Sequence, residues 1–133
     1  MDGPRIPIIH LSGRLLVSIQ VEMTDQLLAR LKEDVANAID RTGGSGLVID
    51  VAGIEVMDSF ISRSICDLAL IARLMGVPTV LCGIRPAVAI TLSEMGIDLR
   101  GVPSALDVDE AVALCAAEES SAAAHPLEVV GDS

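Results

Sequence analysis

The amino-acid sequence predicts an α/β domain built on a largely parallel sheet. Short apolar, β-branched runs alternate along the chain with longer stretches of helical periodicity, and glycine or proline marks many of the boundaries. The chain has 133 residues and 51% hydrophobic content, enough for one compact domain with its own core rather than two.

Residues 6–11 and 15–20 are two short apolar runs separated by Ser12-Gly13, a turn signal, so they read as an opening hairpin. Thr24 or Asp25 can cap a helix running to about Arg41. Its Leu28, Leu31, Val35 and Ala38 recur at helical spacing, with Arg30, Glu33, Asp34, Asn37 and Arg41 facing away. Thr42-Gly43-Gly44-Ser45-Gly46 ends that helix. Leu47-Val48-Ile49-Asp50-Val51 then suits a strand covered on both faces.

A loop from Ala52 to Asp58 leads into a helix over residues 59–75, with Ile61, Ile65, Leu68, Ala72 and Met75 on its buried face. Gly76 and Pro78 end it, and Thr79-Val80-Leu81-Cys82 is the next strand. Pro86 opens a short helix that buries Val88, Ala89, Leu92 and Met95 and stops at Gly96. An extended segment over 99–102 precedes a last helix over 107–119, with Val108, Ala111, Val112 and Cys115 apolar. The order is ββαβαβαβα, with about four helices. Past Glu119 the composition shifts to Ser, Ala and Gly, so the expected domain is 1–119 and residues 120–133 read as a disordered tail.

Composition excludes several functions. With 19 acidic and 9 basic residues the net charge is −10, and Lys32 is the only lysine, so the chain repels nucleic acid and anionic membrane. No apolar run is long enough to span a bilayer, and the first residues lack the pattern of a signal peptide, which points to the cytoplasm. Cys66, Cys82 and Cys115 are far apart and read as reduced, buried thiols. His10 falls in a strand and His125 in the tail, so neither a metal site nor a catalytic triad can be assembled, and no cofactor is expected. The glycine-rich stretch 42–46 follows a helix and precedes a strand, the reverse of a phosphate-cradling loop. Asp50 at a strand's end could be a catalytic acid but has no partner base, and an Asp there more often caps a turn.

The segment Val56-Met57-Asp58-Ser59-Phe60-Ile61 holds the most information. Val56 and Met57 are apolar residues in a loop just before a helix, and Phe60 is the sole aromatic residue of the chain. Asp58 or Ser59 can be an ordinary helix cap. Alternatively, a phosphate on Ser59 would meet the unpaired N–H groups and positive dipole end of the helix, so the fold would tolerate it. The added charge, roughly −1.5 to −2 at pH 7, would still repel a partner docked on the neighbouring side chains. The residues alone do not separate a cap from a switch. Ser62, one helical turn on and beside Arg63, is a further candidate hydroxyl.

At this segment the chain resembles a STAS domain of the anti-sigma-factor-antagonist group, and within it the single-domain scaffolds of bacterial stressosomes. The resemblance spans residues 4–118. It rests on Pro4-Arg5-Ile6-Pro7-Ile8, Leu15-Leu16-Val17-Ser18-Ile19-Gln20, Gly46-Leu47-Val48-Ile49-Asp50, Asp58-Ser59-Phe60-Ile61, Leu74-Met75-Gly76, and Gly83-Ile84-Arg85-Pro86-Ala87-Val88-Ala89 with Thr91-Leu92. It implies a mixed sheet packed with helices, a phosphoacceptor at Ser59, and a partner surface of Val56, Met57, Asp58, Phe60, Ser62 and Arg63. The partners it implies are a switch-type serine kinase held by the unphosphorylated form, a cognate phosphatase, and sensor-bearing STAS paralogues in a large homo- and hetero-oligomeric assembly. No enzymatic activity is expected. The other reading is a binding module for a small ligand such as a nucleotide or lipid, with Asp50 and Ser59 at the strand ends. The acidic balance disfavours nucleotide phosphates there.

Overall fold

The structure, a computed structural model, describes residues 5–19, 23–43, 45–95 and 102–124. Strands β1 (Ile8–Leu11) and β2 (Arg14–Ser18) form the expected hairpin. The turn between them uses left-handed backbone at both Ser12 (φ 52°) and Gly13 (φ 78°), which matches the right-handed twist of the strands. Helix α1 (Asp25–Thr42) starts where Thr24 Oγ1 accepts from the Leu27 N–H at 3.1 Å. It stops at Gly43, whose left-handed backbone lets its N–H reach the Ile39 carbonyl.

There follow β3 (Leu47–Asp50), α2 (Ser59–Leu74), β4 (Thr79–Cys82), α3 (Pro86–Met95), β5 (Ser104–Ala105) and α4 (Val108–Ala124). The sheet order is β1-β2-β3-β4-β5, antiparallel between β1 and β2 and parallel elsewhere. This is the expected mixed, mostly parallel sheet with four helices.

Both faces of the central strands are covered, as the unbroken apolar run of β3 requires. On one face Leu15, Val17, Leu47, Ile49 and Leu81 meet Leu28, Leu31 and Val35 of α1, Ile65, Leu68 and Ala72 of α2, and Val88 and Leu92 of α3. On the other, Val48, Val80 and Cys82 meet Ala111 and Cys115 of α4. Lys32 of α1 reaches Asp67 of α2 at 3.1 Å across the solvent side of the helix pair.

Several expectations are corrected. Met75 is not on the buried face of α2; it is the residue that ends the helix, and it is partly exposed. Ala89 is exposed, because α3 touches the core through Val88 and Leu92, one turn apart, and leaves its neighbours outside. Of the expected extended segment at 99–102 only Val102 is described, and the strand seen on this side is further along. Its pairing falls on Ser104–Ala105, where the Pro103 carbonyl accepts from Leu81 and the Ala105 carbonyl from Gly83. Those two residues have little strand propensity of their own, so the edge of β4 selects them. Helix α4 continues past Glu119 to Ala124. The expected end of β2 at Gln20, and Gly44, Leu99 and residues 125–133, lie outside the described residues. None of the three cysteines forms a disulfide, but Cys66 is only partly buried.

Candidate phosphorylation and partner-docking site

The C-terminal end of β3 leads into a loop whose course is fixed by internal bonds. Asp50 Oδ1 accepts from the Ala52 N–H at 2.9 Å and so closes a turn directly after the strand. The Val51 N–H donates to the Cys82 carbonyl, and the Ile54 N–H to the Val51 carbonyl. Asp50 is therefore a turn former, with a carboxylate oxygen already engaged. Gly83, at φ 78°, packs beside this turn; a Cβ there would meet Asp50 Oδ1 at 2.8 Å and Ala52 Cβ at 2.9 Å. Arg85, from the β4–α3 connection, donates through Nε to the Ala52 carbonyl at 2.9 Å and ties the loop to the next strand unit. Ile54 and Met57 plug the loop into the core.

The loop delivers the start of α2 to the surface. Asp58 is the cap: its backbone is extended (φ −114°, ψ 179°) and its Oδ1 accepts from the Ile61 N–H at 2.8 Å. Ser59 is the first helical residue and is exposed. Its hydroxyl makes no hydrogen bond within the described residues. The cap and the candidate phosphoacceptor are thus different residues, which the sequence left open.

The surface around Ser59 is narrower than the sequence implied. Val56 stands out at 78% exposure and Asp58 and Arg63 are exposed, but Met57 is 3% exposed and packs in the core. Phe60 is partly buried and packs on the same core. Ser62 is 1% exposed; its hydroxyl donates to the Asp58 carbonyl at 2.9 Å, so it belongs to the helix start and not to an open face. Helix α2 packs its first turn closely, which turns the 59 and 62 positions toward different surroundings. Arg85, whose role no spacing could reveal, is what sequence reasoning missed, since it acts on a carbonyl 33 residues away.

Cys82 closes the other side of this strand end. Burial, then the neighbouring carboxylates of Asp50 and Asp107, push its thiol up to about 12. It is an inert core group rather than a nucleophile. Among the described residues no group of His, Cys, Asp and Glu is placed to hold a metal ion. No helix among them is long and apolar enough to cross a membrane.

A five-stranded mixed sheet with helices on both faces, and a capped helix that presents a free serine after the central strand, defines a class of α/β interaction domain. The STAS domain family matches residues 5–111, and the chain belongs to that family. A serine-to-glutamate variant of RsbS from Moorella thermoacetica is 39% identical, with a TM-score of 0.74 over 86% of this chain and 97% of that one. A chain from the molecular architecture of the stressosome, described as a signal integration and transduction hub, is 40% identical, with a TM-score of 0.75 over 85% of this chain and 98% of that one.

Among curated proteins of Bacillus subtilis (strain 168), the RsbT co-antagonist protein RsbRA is 33% identical over 73 residues, covering 55% of this chain and 27% of its own length. RsbRC, also an RsbT co-antagonist, is 26% identical over 102 residues, covering 77% of this chain and 36% of itself. The chain thus spans about a quarter to a third of these co-antagonists.

Proposed function

We propose that this chain is a phosphorylation-switched regulatory scaffold of a stressosome-type assembly. Unphosphorylated, it holds a switch-type serine kinase; phosphorylation of Ser59 releases the kinase, and a cognate phosphatase resets it. Sensor-bearing STAS paralogues are its assembly partners. The observation that carries the reading is that Ser59 is exposed and free while Asp58 caps the helix. A phosphoryl group can be added at Ser59 without removing a bond the fold uses, and the helix N-terminus favours its charge. Beside it, Val56, Asp58 and Arg63 offer an apolar contact and both signs of charge to a docked protein. Likeness to RsbS and to proteins named RsbT co-antagonists supports the kinase and the assembly. One solved relative carries an acidic residue in place of a serine, a charge change of the same sign as phosphorylation.

The test is incubation with the serine kinase encoded in the same genome, with and without ATP, followed by site mapping and pull-down. One phosphoryl group at Ser59 and loss of the bound kinase are expected; Ser59→Ala should keep the kinase in the presence of ATP. Modification elsewhere, or equal kinase retention by phosphorylated and unphosphorylated chain, would overturn the reading.

A further inference from the structure

The two faces of the sheet are covered unequally. Against one face α1 alone buries Leu27, Leu28, Leu31, Val35, Ala38 and Ile39, and α2 and α3 pack beside it. The other face is covered by α4. Among the described residues its fully buried side chains are Ala111 and Cys115, with Val108, Val112 and Leu114 partly buried. Small side chains let this helix come close, and a Cβ on Gly46 would meet Cys115 Sγ at 2.7 Å. Close approach is not large burial. Alanine and cysteine remove little apolar area from water, and the stabilisation follows that area.

The bonds that start α4 are its own. Glu110 Oε1 accepts from the Leu106 N–H at 2.7 Å, and Asp107 Oδ1 from the Glu110 N–H at 2.9 Å. Just before them, the short β5 joins the sheet where the Pro103 and Ala105 carbonyls accept from Leu81 and Gly83. Between this stretch and α3 a groove of about 270 Å³, lined by Ile84, Ala89, Ser104, Leu106 and Glu110 among others, leaves the seam open.

We propose that residues 103–124, β5 with α4, form a cover that lifts from the sheet as one unit while the larger core stays packed. The two apolar clusters share no residue, so lifting the cover breaks the small one and leaves every member of the larger in place. Local opening is governed by the apolar contacts a segment gives up, and here they are few. Opening also frees the Gly83 N–H, on the residue that packs against the Asp50–Ala52 turn at the head of the Ser59 loop. The cover and that loop thus meet at one residue. The opening itself does not depend on phosphorylation of Ser59.

Two buried thiols lie under opposite ends of the cover. Cys82 pairs with Asp50 at the C-terminal end of β3, whereas Cys115 packs on Gly46, just before that strand begins. A helix that only frays exposes Cys115 and keeps Cys82 closed. A cover that lifts whole exposes both.

Labelling of the full chain with iodoacetamide at pH 8, read cysteine by cysteine by mass spectrometry, tests this together with amide exchange. Cys82 and Cys115 are expected to show equal protection relative to the urea-unfolded chain. The amides of α4, Leu81 and Gly83 exchange faster than those of β3, with a weaker dependence on urea. Ala113→Gly, at an exposed position inside α4, speeds both labellings about fivefold. Ile65→Val, in the larger core, speeds exchange of the β3 amides about fivefold and leaves both labelling rates unchanged. Three results would each overturn the proposal. Labelling accelerated by Ile65→Val as much as β3 exchange means that only global unfolding reaches these thiols. Labelling of Cys115 without Cys82 means fraying, and rates indifferent to Ala113→Gly place the opening outside α4.

Discussion

Ser59 and Ser62 are one helical turn apart and chemically identical, yet only one is open to an enzyme. The Ser62 hydroxyl is engaged with the Asp58 carbonyl and out of solvent, whereas Ser59 is exposed and its hydroxyl bonds to none of the described residues. Site mapping after phosphorylation is therefore expected to place the group on Ser59, with none on Ser62 in the Ser59→Ala variant. Asp58 has a separable role. Asp58→Ala removes the cap of α2 and should cost about 1 kcal/mol, read as a lower urea midpoint with unchanged slope, while Ser59→Ala should leave the midpoint nearly unaltered.

Cys82 gives a pH test at the same scale. Its thiol is raised in the folded chain, from 9.0 to about 12, so the folded state holds the proton more tightly than the unfolded one. The stability this confers is complete below about pH 9 and is lost as pH rises toward 12. Cys82→Ala should flatten the alkaline limb of the stability curve. At pH 8, iodoacetamide should label the partly buried Cys66 before Cys82.

At the scale of elements, the loop from β3 to α2 is held by residues distant in sequence. Arg85→Ala should free the Ala52 carbonyl and speed amide exchange across residues 52–57, with little change in the strands. Gly83→Ala is the harsher change, because a left-handed backbone and a Cβ 2.8 Å from Asp50 Oδ1 combine. A loss of more than about 1 kcal/mol is expected, measurable by denaturant unfolding. Strands and helices were legible where periodicity is strong: α1, β3, β4 and most of α2 fall where the apolar residues place them. Met75 and Ala89 were misplaced because periodicity marks a face but not where a helix leaves its neighbours. The pairing of Ser104–Ala105 was not legible because β4, not local propensity, chooses it.

For the whole molecule, charge and topology act together. A net charge of −10 makes encounters between copies repulsive at long range, so any self-association should strengthen as salt screens it. Concentration-dependent sedimentation at low and high ionic strength checks this. The sequence by itself determined the fold class, the element order and the segment that carries Ser59. Each of these is written in short-range patterns: β-branched runs, helical spacing, turn residues and caps. Tertiary structure alone decided that Met57 and Ser62 turn inward, that Asp58 rather than Ser59 is the cap, and that Arg85 braces the loop. Burial and long-range hydrogen bonds depend on what packs from elsewhere in the chain, and no local pattern encodes that.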